Sequence, residues 1–360
     1  MDLSPIRCSA VVFEAPLNQP FRIATGQHNS LHNVLFRIET KRGVQGFGEA
    51  AVATHITGET VEGTLANLRR VGKELEGRRI TALGPISCWL HEQLPLNKCA
   101  LAAVEMALYD AKAREMGVPL WKLFGPSTKK LSTDITIVIA PLAETQKTCR
   151  RFYAQGFRKF KIKIGKDYDL DLKRVAAVKR IAPRCELYLD ANQAFTAAGI
   201  LRFLKDLERM KIIPMLLEQP VAKTDWEGLK EVSRKTKIPV CADESASSLE
   251  DCKRIIKGKA CPAVNIKLMK TGLVDAQKIA VLCAKNGIEL MIGAMMETSL
   301  ATTASAHLAC GLGCFRYIDL DTAFFIKQGF DHSNPYLSSR GVYDLSRISA
   351  GIGIIPRIFT

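Results

Sequence analysis

The sequence has eleven cysteines but no CxxC pair. The cysteines are scattered, several of them within segments that resemble strands or helices, which is typical of reduced, buried thiols rather than of a disulfide framework. The nearest approach to a zinc-binding pattern is His307, Cys310 and Cys314. These residues lie at the end of an apolar helix and in a Gly-rich loop, without an evident fourth ligand, so a zinc site is disfavoured.

Long apolar runs are also lacking. No segment has the unbroken apolar stretch that a membrane span needs. The first residues, MDLSPIRCSAVVFEAPL, have neither the basic flank nor the apolar core of a signal peptide. We therefore expect a soluble, cytoplasmic protein that does not associate with membranes.

The sequence has no long basic tail and no recognisable nucleic-acid-binding signature, although 51 basic and 36 acidic residues give a net charge of +15. The basic residues alternate with acidic ones in helical segments such as KDLERMK, which is typical of a solvated surface. We expect no nucleic-acid partner. The excess charge can attract anionic substrates but indicates no particular chemistry.

A chain of 360 residues with 47% hydrophobic content can form one large domain and a smaller one. Residues Val34 to Glu49 have the pattern of a β-hairpin around the turn Lys41-Arg42-Gly43, and a helical pattern extends from Thr60 to about Phe124. The sequence therefore predicts a small α+β domain over residues 1–125.

From about Leu131 onward, short apolar runs alternate with helical stretches. There are eight such runs: DITIVIA, KFKIKI, ELYLD, PMLLEQP, PVCADES, AVNIKLMK, ELMIGAM and RYIDLD. This pattern predicts a parallel (β/α) barrel over residues 126–325. A doubly wound open sheet is the alternative, but no Gly-rich phosphate loop follows the first run. The irregular segment 326–360 is predicted to pack on the first domain.

Charged residues occupy the predicted C-terminal strand ends, where burial is costly unless the charges have a function. They are Lys161 and Lys163 (strand two), Asp190 (three), Glu218 (four), Asp243 (five), Lys267 (six), and Asp319 with Asp321 (eight). A salt bridge or a loop cap would explain any one of them alone. Their occurrence in register on so many strands favours an active site at the barrel rim.

Asp190, Glu218 and Asp243 belong to three successive strands and are expected to converge. Without a counter-ion they would repel one another, and a hard divalent cation resolves this conflict. An all-oxygen ligand set favours Mg²⁺ over zinc. Such a metal can hold a substrate carboxylate and neutralise the charge that develops when the adjacent C–H bond is deprotonated.

Lys163 and Lys267 are the candidate acid–base pair. Strands two and six of eight lie half a turn apart, so the two amines should face each other across the barrel mouth. Bases on opposite faces of one carbon suit racemisation or epimerisation. Burial beside cations is expected to lower the lysine pKa values toward the working pH, and Lys161 is expected to assist by its charge and by binding the carboxylate.

Several segments together resemble the enolase superfamily, in particular its muconate-lactonising subgroup. They are KFKIKIGKD, LYLDANQAF, LLEQPV, CADES, VNIKLMKTG, ITGET and AAVEMALYDAKA, and they span nearly the whole chain. The resemblance implies a (β/α)7β barrel with an α+β capping domain formed from both chain ends. It also implies metal ligation by Asp190, Glu218 and Asp243, acid–base roles for Lys163 and Lys267, and an auxiliary role for Lys161. A lysine base with Mg²⁺ that stabilises an enediolate is that superfamily's known chemistry.

The lysines do not settle the reaction, because muconate cycloisomerases, o-succinylbenzoate synthases, N-acylamino acid racemases and dipeptide epimerases all carry them. The paired Asp319 and Asp321 resemble the D-x-D of dipeptide epimerases, whose substrates have a free ammonium group. Side chains two residues apart on a strand share a face, so both carboxylates could meet that cation. An alternative, in which one aspartate only binds a neighbouring lysine, stays open.

We therefore expect a Mg²⁺-dependent dipeptide epimerase that acts, through an enediolate, on the α-carbon of the C-terminal residue of L-Ala-D/L-Glu or another L-Ala-X dipeptide. An N-acylamino acid racemase or o-succinylbenzoate synthase is the alternative, and a non-catalytic binding scaffold ranks below both. The resemblance also suggests a role in cell-wall peptide metabolism and a symmetric homo-oligomer.

The preferred dipeptide side chain depends on capping-domain loops, here around Arg22–His28 and Val52–His55. Gly26 stands where some Ala-Glu epimerases have an arginine, which leaves an Ala-Glu preference open: Arg22, His28 or a lysine elsewhere could substitute, or the preferred second residue is not acidic. Thr136 and Met296 are further candidate substrate contacts, and Met295 and Glu297 adjoin the same pocket.

Overall fold

The computed structural model describes residues 3–125, 127–330 and 334–360, apart from the side chain of His55. The N-terminal part is an antiparallel sheet, in the order β1-β2-β3, covered by helices. Its elements are β1 (Pro5–Ile23), β2 (Gly26–Thr40), β3 (Gln45–Ala51), α1 (Thr54–Thr57), α2 (Val61–Leu75), α3 (Leu83–Gln93) and α4 (Lys98–Glu115). The predicted hairpin is confirmed as the β2–β3 pair, in which Leu35 lies opposite Glu49.

Helix α4 packs very closely on β3. A Cβ atom at Gly48 would lie 1.9 Å from the carbonyl oxygen of Ala103, so only glycine permits this approach. Almost every side chain of α4 is buried, because the sheet covers one face and the barrel helix α10 (Leu268–Lys285) covers another. The N-terminal unit and the barrel thus share one continuous hydrophobic core.

The predicted parallel barrel is confirmed, and the doubly wound alternative is wrong. Eight parallel strands follow one another in sequence order around the sheet. They are β5 (Ile135–Ile137), β6 (Lys159–Lys163), β7 (Glu186–Asp190), β8 (Leu216–Glu218), β9 (Val240–Ala242), β10 (Ala263–Ile266), β11 (Glu289–Gly293) and β12 (Phe315–Asp319). The helices between them are α5 (Leu142–Gln155), α6 (Tyr168–Ile181), α7 (Ala197–Arg209), α8 (Trp226–Lys235), α9 (Leu249–Gly258), α10 and α11 (Ser299–Leu312).

The first and last barrel strands meet at a seam. There the backbone N–H of Asp134 donates to the carbonyl oxygen of Ile318 at 2.9 Å. The interior below the rim is filled by a separate apolar cluster: Tyr188, Leu216, Cys241, Ala263, Met291 and Tyr317. The barrel is therefore a packed core, and a ligand can approach only at its mouth.

The C-terminal segment contacts both parts of the molecule. The N–H of Lys327 donates to Pro16 O at 2.8 Å, and Gly351 pairs with Pro119. The short strand β13 (Val342–Asp344) pairs with β4 (Lys130–Ser132), which lies just before the barrel. The segment therefore links the N-terminal sheet to the start and end of the barrel.

All eleven cysteines are described, and each is a free thiol. Eight of them are buried, which fits the interpretation of reduced core residues. Among the described residues, no helix combines the length and apolar character required to cross a bilayer.

Candidate active site

The register of the barrel strands brings the predicted charged residues to one level of the rim. Lys163 lies beside Asp190, and Asp190 beside Glu218, as direct partners on neighbouring strands. Asp243 follows the end of β9, and Lys267 follows the end of β10. All five are buried. The alternation of short apolar strands with charged ends therefore builds one compact polar site.

Lys161 is the central cation of this site. Its Nζ lies 2.7 Å from Glu218 Oε2, 2.7 Å from Asp319 Oδ2 and 3.1 Å from Asp190 Oδ2. The Nζ of Lys163 lies 2.6 Å from the same oxygen of Asp190. The two lysines of β6 thus neutralise Asp190 and Glu218, which were predicted as metal ligands.

Asp243 binds two lysines. Lys267 Nζ lies 2.6 Å from its Oδ2, and Lys270 Nζ lies 2.6 Å from its Oδ1. Lys270 also donates to the carbonyl oxygens of Asp243 and Asn265. Lys270 was not predicted from the sequence, although it lies three residues after Lys267, on the helix that follows strand six. Its contacts fix the orientation of Asp243.

The pKa of Lys267 is shifted in this structure in the direction opposite to the expected lowering. Burial does lower the pKa of Lys267, but the carboxylates of Asp243 and Glu218 outweigh it, and the net pKa lies above the usual value. The pKa of Lys161 is likewise raised by Asp319, Glu218 and Asp190 against the effect of burial. Carboxylates are the nearest charged neighbours of both amines in this structure, whereas the expectation assumed cations beside them.

The pKa values of two buried carboxylates, Glu218 and Asp190, are shifted in opposite directions. Burial raises the pKa of Glu218 to about 8, assisted by the negative charge of Asp190. Burial acts in the same direction on Asp190, but Lys163 and Lys161 override it and lower its pKa to about 2. Asn265 donates to Glu218 Oε1 at 2.8 Å and holds that side chain in place. The site thus contains oxygen ligands only, as a hard divalent cation requires.

A group of carboxylate oxygens that lie within 4.8 Å of one another occurs elsewhere at the rim. Among the described residues, this group consists of Asp134, Asp319 and Asp321. The oxygens of Asp190, Glu218 and Asp243 do not form so close a group, because each of these residues holds a lysine or an amide. Asp134 was not singled out from the sequence. Asp134 lies immediately before β5, the first barrel strand, and in the sequence it resembles an ordinary polar residue at the start of a strand.

Asp319 and Asp321 differ in setting, contrary to the expectation that they share one face of a strand. Asp319 ends β12 and binds Lys161, as the lysine-pairing alternative proposed. Asp321 lies beyond the strand, and its Oδ2 accepts a hydrogen bond of 2.6 Å from the backbone N–H of Thr136. Burial and the charge of Asp319 raise the pKa of Asp321 to about 7. Both carboxylates nevertheless line the same cavity.

This cavity lies between the N-terminal unit and the barrel mouth. Its polar wall includes Lys163, Asp243, Lys267, Asp319 and Asp321, together with Thr136, Asn192, Glu244 and Thr322. Its apolar wall consists of Phe21, Ile23, Ala53, Ile56, Ala294, Met295 and Met296, and His28 completes the lining. A small ligand that has both a carboxylate group and an apolar side chain would complement a cavity with one polar wall and one apolar wall.

Gly26 is not among the residues that line the cavity, although it was predicted as a contact. It pairs with Ile23 across the turn of the β1–β2 hairpin, and its neighbours Ile23 and His28 face the cavity instead. Arg22, a suggested substitute for the missing arginine, donates to Gln27 at 2.8 Å and borders a different depression. The side chain of His55 lies outside the described part of the structure.

The loop after strand seven is held by the N-terminal sheet. Asn33 Nδ2 donates to the carbonyl oxygen of Met296 at 2.8 Å, and Glu49 accepts a 2.8 Å hydrogen bond from Thr298 N–H. Glu297 turns inward and is fully buried, and burial raises its pKa to about 8. Met295 and Met296 thus form a cavity wall whose position depends on the N-terminal sheet.

Backbone strain is concentrated at the ends of the ligand-bearing strands. Asn192 and Gln219 have φ values of 39° and 32°, which residues other than glycine rarely adopt. The Gln219 side chain accepts hydrogen bonds from the backbone N–H groups of Asp243 and Ser245 at 2.9 and 3.0 Å. The strained backbone therefore helps to place the carboxylate of the next strand.

His307, the histidine of the zinc-like pattern, has a structural role. Both ring nitrogens of His307 have structural partners: Nδ1 accepts from Trp121 N–H at 3.0 Å, and Nε2 lies 3.1 Å from Ile352 O. Burial lowers the pKa of His307 to about 4 and keeps the ring neutral. His307 joins the last barrel helix to the N-terminal and C-terminal segments.

The chain is similar to known proteins over almost its full length. Residues 7–125 match the family model of the mandelate racemase/muconate lactonizing enzyme N-terminal domain, and residues 144–357 match that of the enolase C-terminal domain-like family. The hydrophobic dipeptide epimerase of Citrifermentans bemidjiense is 49% identical over 97% of this chain and 96% of its own.

Two solved structures have the same fold. The L-Ala-D/L-Glu epimerase of Bacillus subtilis, in a substrate-liganded complex, aligns with a TM-score of 0.94 at 31% identity, covering 98% of this chain and 99% of the other. The Enterococcus faecalis dipeptide epimerase complexed with Mg and L-Leu-L-Tyr aligns with a TM-score of 0.87 at 31% identity, covering 97% and 99%. The fold, the rim charges and these similarities agree: the chain belongs to the enolase superfamily, in the mandelate racemase/muconate lactonizing enzyme family.

Proposed function

We propose that this protein is a Mg²⁺-dependent dipeptide epimerase that inverts the α-carbon of the C-terminal residue, with a preference for a hydrophobic side chain there. The observation that carries the proposal is a single cavity that contains two lysines, a carboxylate pair for an ammonium group and an apolar wall. The relatives named above are dipeptide epimerases, which supports the same reaction class.

Lys163 and Lys267 are the proposed acid–base pair. Their strands, β6 and β10, are separated by three strands in either direction around the barrel, so the two amines approach the cavity from opposite sides. One lysine removes the α-proton from one face of the carbon, and the other delivers a proton to the opposite face. A lysine that is to act as the base must first leave its carboxylate partner and lose its proton.

Asp190, Glu218 and Asp243 are the proposed metal ligands. Three buried carboxylates on adjacent strands fit a hard divalent cation, and the lysines that now bind them show how strongly this position requires positive charge. When bound, Mg²⁺ offsets the negative charge that develops on the substrate carboxylate as the C–H bond breaks. Lys161, which lies among Asp190, Glu218 and Asp319, is proposed to bind the same carboxylate group of the substrate.

Asp319 and Asp321 are the proposed partners of the substrate N-terminus. A free ammonium group carries one positive charge and three N–H donors, and both aspartates offer acceptors in the cavity. An N-acylated substrate lacks that charge and would leave Lys161 as the cation shared by Asp319 with Asp190 and Glu218, and Asp321 with the backbone N–H of Thr136 as its partner. This is the reason to favour dipeptides over the N-acylamino acids and succinylbenzoate precursors of the alternative reactions. Thr136 lines the same cavity as Asp319 and Asp321.

The apolar wall supports a hydrophobic side chain at the epimerised residue. Phe21, Ile23, Ile56 and Met296 contribute large apolar surfaces, and no arginine is among the residues that line the cavity in the described part of the chain. Lys163 and Lys267, the cations that line the cavity in the described part of the chain, are assigned to proton transfer, so His28 is the remaining lining residue that could carry positive charge for an acidic side chain. We further propose that the N-terminal unit (1–125) and the C-terminal segment (326–360) act as the cap of the 126–325 barrel.

¹H NMR in D₂O with a panel of dipeptides tests this function. Enzyme and Mg²⁺ are incubated with L-Ala-L-Phe, L-Ala-L-Leu, L-Ala-L-Glu or L-Ala-L-Lys, and with N-acetyl-L-Phe and a succinylbenzoate precursor as controls. We expect loss of the C-terminal α-proton signal and new diastereomer peaks for the Phe and Leu dipeptides, at rates well above those for Glu. Turnover of the controls alone would assign the alternative function. A preference for Glu would contradict the proposed role of the apolar wall.

A further inference from the structure

Asp134 is a buried carboxylate that the mechanism above does not use. It lies at the seam between β5 and β12, with no exposed surface. Neither of its carboxylate oxygens meets a hydrogen-bond donor among the described residues. An ionised carboxylate in such a position would lack any compensation for its lost hydration.

The two neighbouring carboxylates do have donors. Asp321 accepts from the backbone N–H of Thr136, and Asp319 binds Lys161. Oxygens of Asp134, Asp319 and Asp321 lie within 4.8 Å of one another. Lys161 is the nearby cation, and it is already shared with Asp190 and Glu218. Three negative charges this close cannot all be maintained, so one of the three side chains must hold a proton.

We infer that Asp134 holds this proton, donates a hydrogen bond from its carboxyl group to Asp319, and thereby positions Asp319 for the ammonium group of the substrate. The inference rests on the proposed dipeptide function. It makes Asp134 a positioning residue, because Asp134 is not among the residues that line the cavity. Asp319 is then oriented from one side by Lys161 and from the other by Asp134.

The charges that surround Asp134 agree with this assignment. Burial, followed by the negative charges of Asp319 and Asp321, raises the pKa of Asp134 well above its usual value, and Lys161 only partly opposes them. Tyr188 also faces this region, but its hydroxyl group is engaged by Glu186 at 2.7 Å. With the proton on Asp134, the ionised Asp319 and Asp321 face Lys161 and one incoming ammonium group, so charge is balanced when the substrate is bound.

Two substitutions separate the hydrogen bond from the charge. Asp134→Asn keeps a neutral donor of the same shape, and Asp134→Leu keeps the volume but removes the donor. For L-Ala-L-Phe, we expect Asp134→Leu to raise KM about 10-fold with kcat changed much less, because the lysines are untouched. We expect Asp134→Asn to recover most of that loss. Equal damage in both variants would mean that an ionised carboxylate is required, and an unchanged KM in Asp134→Leu would mean that Asp134 positions nothing; either result overturns the inference.

Infrared difference spectroscopy provides a test that needs neither substrate nor turnover. At neutral pH, the spectrum of the parent protein minus that of Asp134→Asn should contain the C=O stretching band of a protonated carboxyl group. Absence of this band overturns the inference even if the dipeptides are epimerised. Its presence supports the assignment even if the proposed substrate is wrong. Titration of both proteins with Mg²⁺ tests whether the three aspartates instead form a cation site. If the parent binds a second equivalent of Mg²⁺ that Asp134→Asn does not bind, the inference is overturned.

Discussion

The Nζ of Lys267 lies 2.6 Å from Oδ2 of Asp243, so a proposed proton-transfer group is bound directly to a proposed metal ligand. Lys163 has the same relationship to Asp190. The lysines therefore compensate the buried carboxylates of the rim in this structure. A metal ion and these lysine contacts compete for the same oxygens, which has a measurable consequence for metal binding.

Replacement of Lys267 by methionine should tighten Mg²⁺ binding. The substitution leaves Asp243 with less compensation before the metal binds, and a buried ion pair that loses one partner is strongly destabilised. We expect a Kd for Mg²⁺ about 10-fold lower than that of the parent by isothermal titration calorimetry. Lys278→Met, at an exposed lysine paired with Asp275, is the matched control and should leave the Kd unchanged. Weaker binding in Lys267→Met would contradict the competition, and Asp243→Asn should abolish binding.

Asp321 should make catalysis sensitive to pH in the neutral range. Its pKa is raised to about 7, mainly by burial and by the charge of Asp319. Below that pH it is protonated and attracts a substrate ammonium group less strongly, so kcat/KM for L-Ala-L-Phe should fall as the pH decreases through about 7. Asp321→Asn should lower kcat/KM at pH 7.5 by at least about 30-fold, the scale of a lost buried charge pair, and should remove this limb of the profile. A profile of Asp321→Asn that keeps the same acidic limb would assign it to another group.

Gly272 should be indispensable for the junction between the cap and helix α10. Its φ is +72°, and a Cβ atom would lie 2.2 Å from Leu101 Cδ2 and 2.5 Å from Glu105 Oε2. Glu105 accepts hydrogen bonds from the backbone N–H groups that follow the kink, at Leu273 and Val274. Gly272→Ala should therefore lower the free energy of unfolding by about 2–4 kcal/mol in urea denaturation.

Gly258 provides the comparison for that experiment. It ends helix α9, and a Cβ atom there would meet nothing within 4 Å. Gly258→Ala should leave stability unchanged or slightly increased. A loss of stability of similar size in both variants would mean that the contact with Leu101 and Glu105 is not the cause.

His307 should make the protein less stable in mild acid. Its folded-state pKa of about 4 lies below the value near 6.5 expected in the unfolded chain, so the unfolded state binds more protons between these pH values. This contribution to stability is therefore complete above about pH 6.5 and is lost as the pH falls toward 4, by up to about 3 kcal/mol. The difference in unfolding free energy between the parent and His307→Gln should shrink over that window. A constant difference would show that His307 does not titrate there.

The rim residues could be predicted because strand ends obey a simple rule. Charged groups are costly at the end of a buried strand, and the even spacing of the eight runs fixed the strands to which Lys163, Asp190 and Glu218 belong. Cross-strand pairing then places these three side chains side by side, as the structure confirms.

Other features depended on contacts that sequence spacing does not define. Lys270 reaches Asp243 because of the way the helix after strand six begins. The position of Asp134 depends on the seam between the first and last barrel strands. The direction of the pKa shifts of Lys161 and Lys267 depended on separations of 2.6–3.1 Å between these amines and carboxylates. The orientation of Arg22 away from the cavity followed from its hydrogen bond with Gln27, a local detail of the hairpin.

The most direct test of the central claim, that Lys163 and Lys267 act on opposite faces of one carbon, is α-proton exchange by single-lysine variants in D₂O. Lys163→Ala and Lys267→Ala are each incubated with Mg²⁺ and, separately, with L-Ala-L-Phe and L-Ala-D-Phe, and deuterium incorporation is followed by ¹H NMR. We predict that neither variant epimerises and that each exchanges the α-proton of one diastereomer only, with the opposite preference in the other variant. Epimerisation at the parent rate in either variant, or the same diastereomer preference in both, would contradict the two-base mechanism.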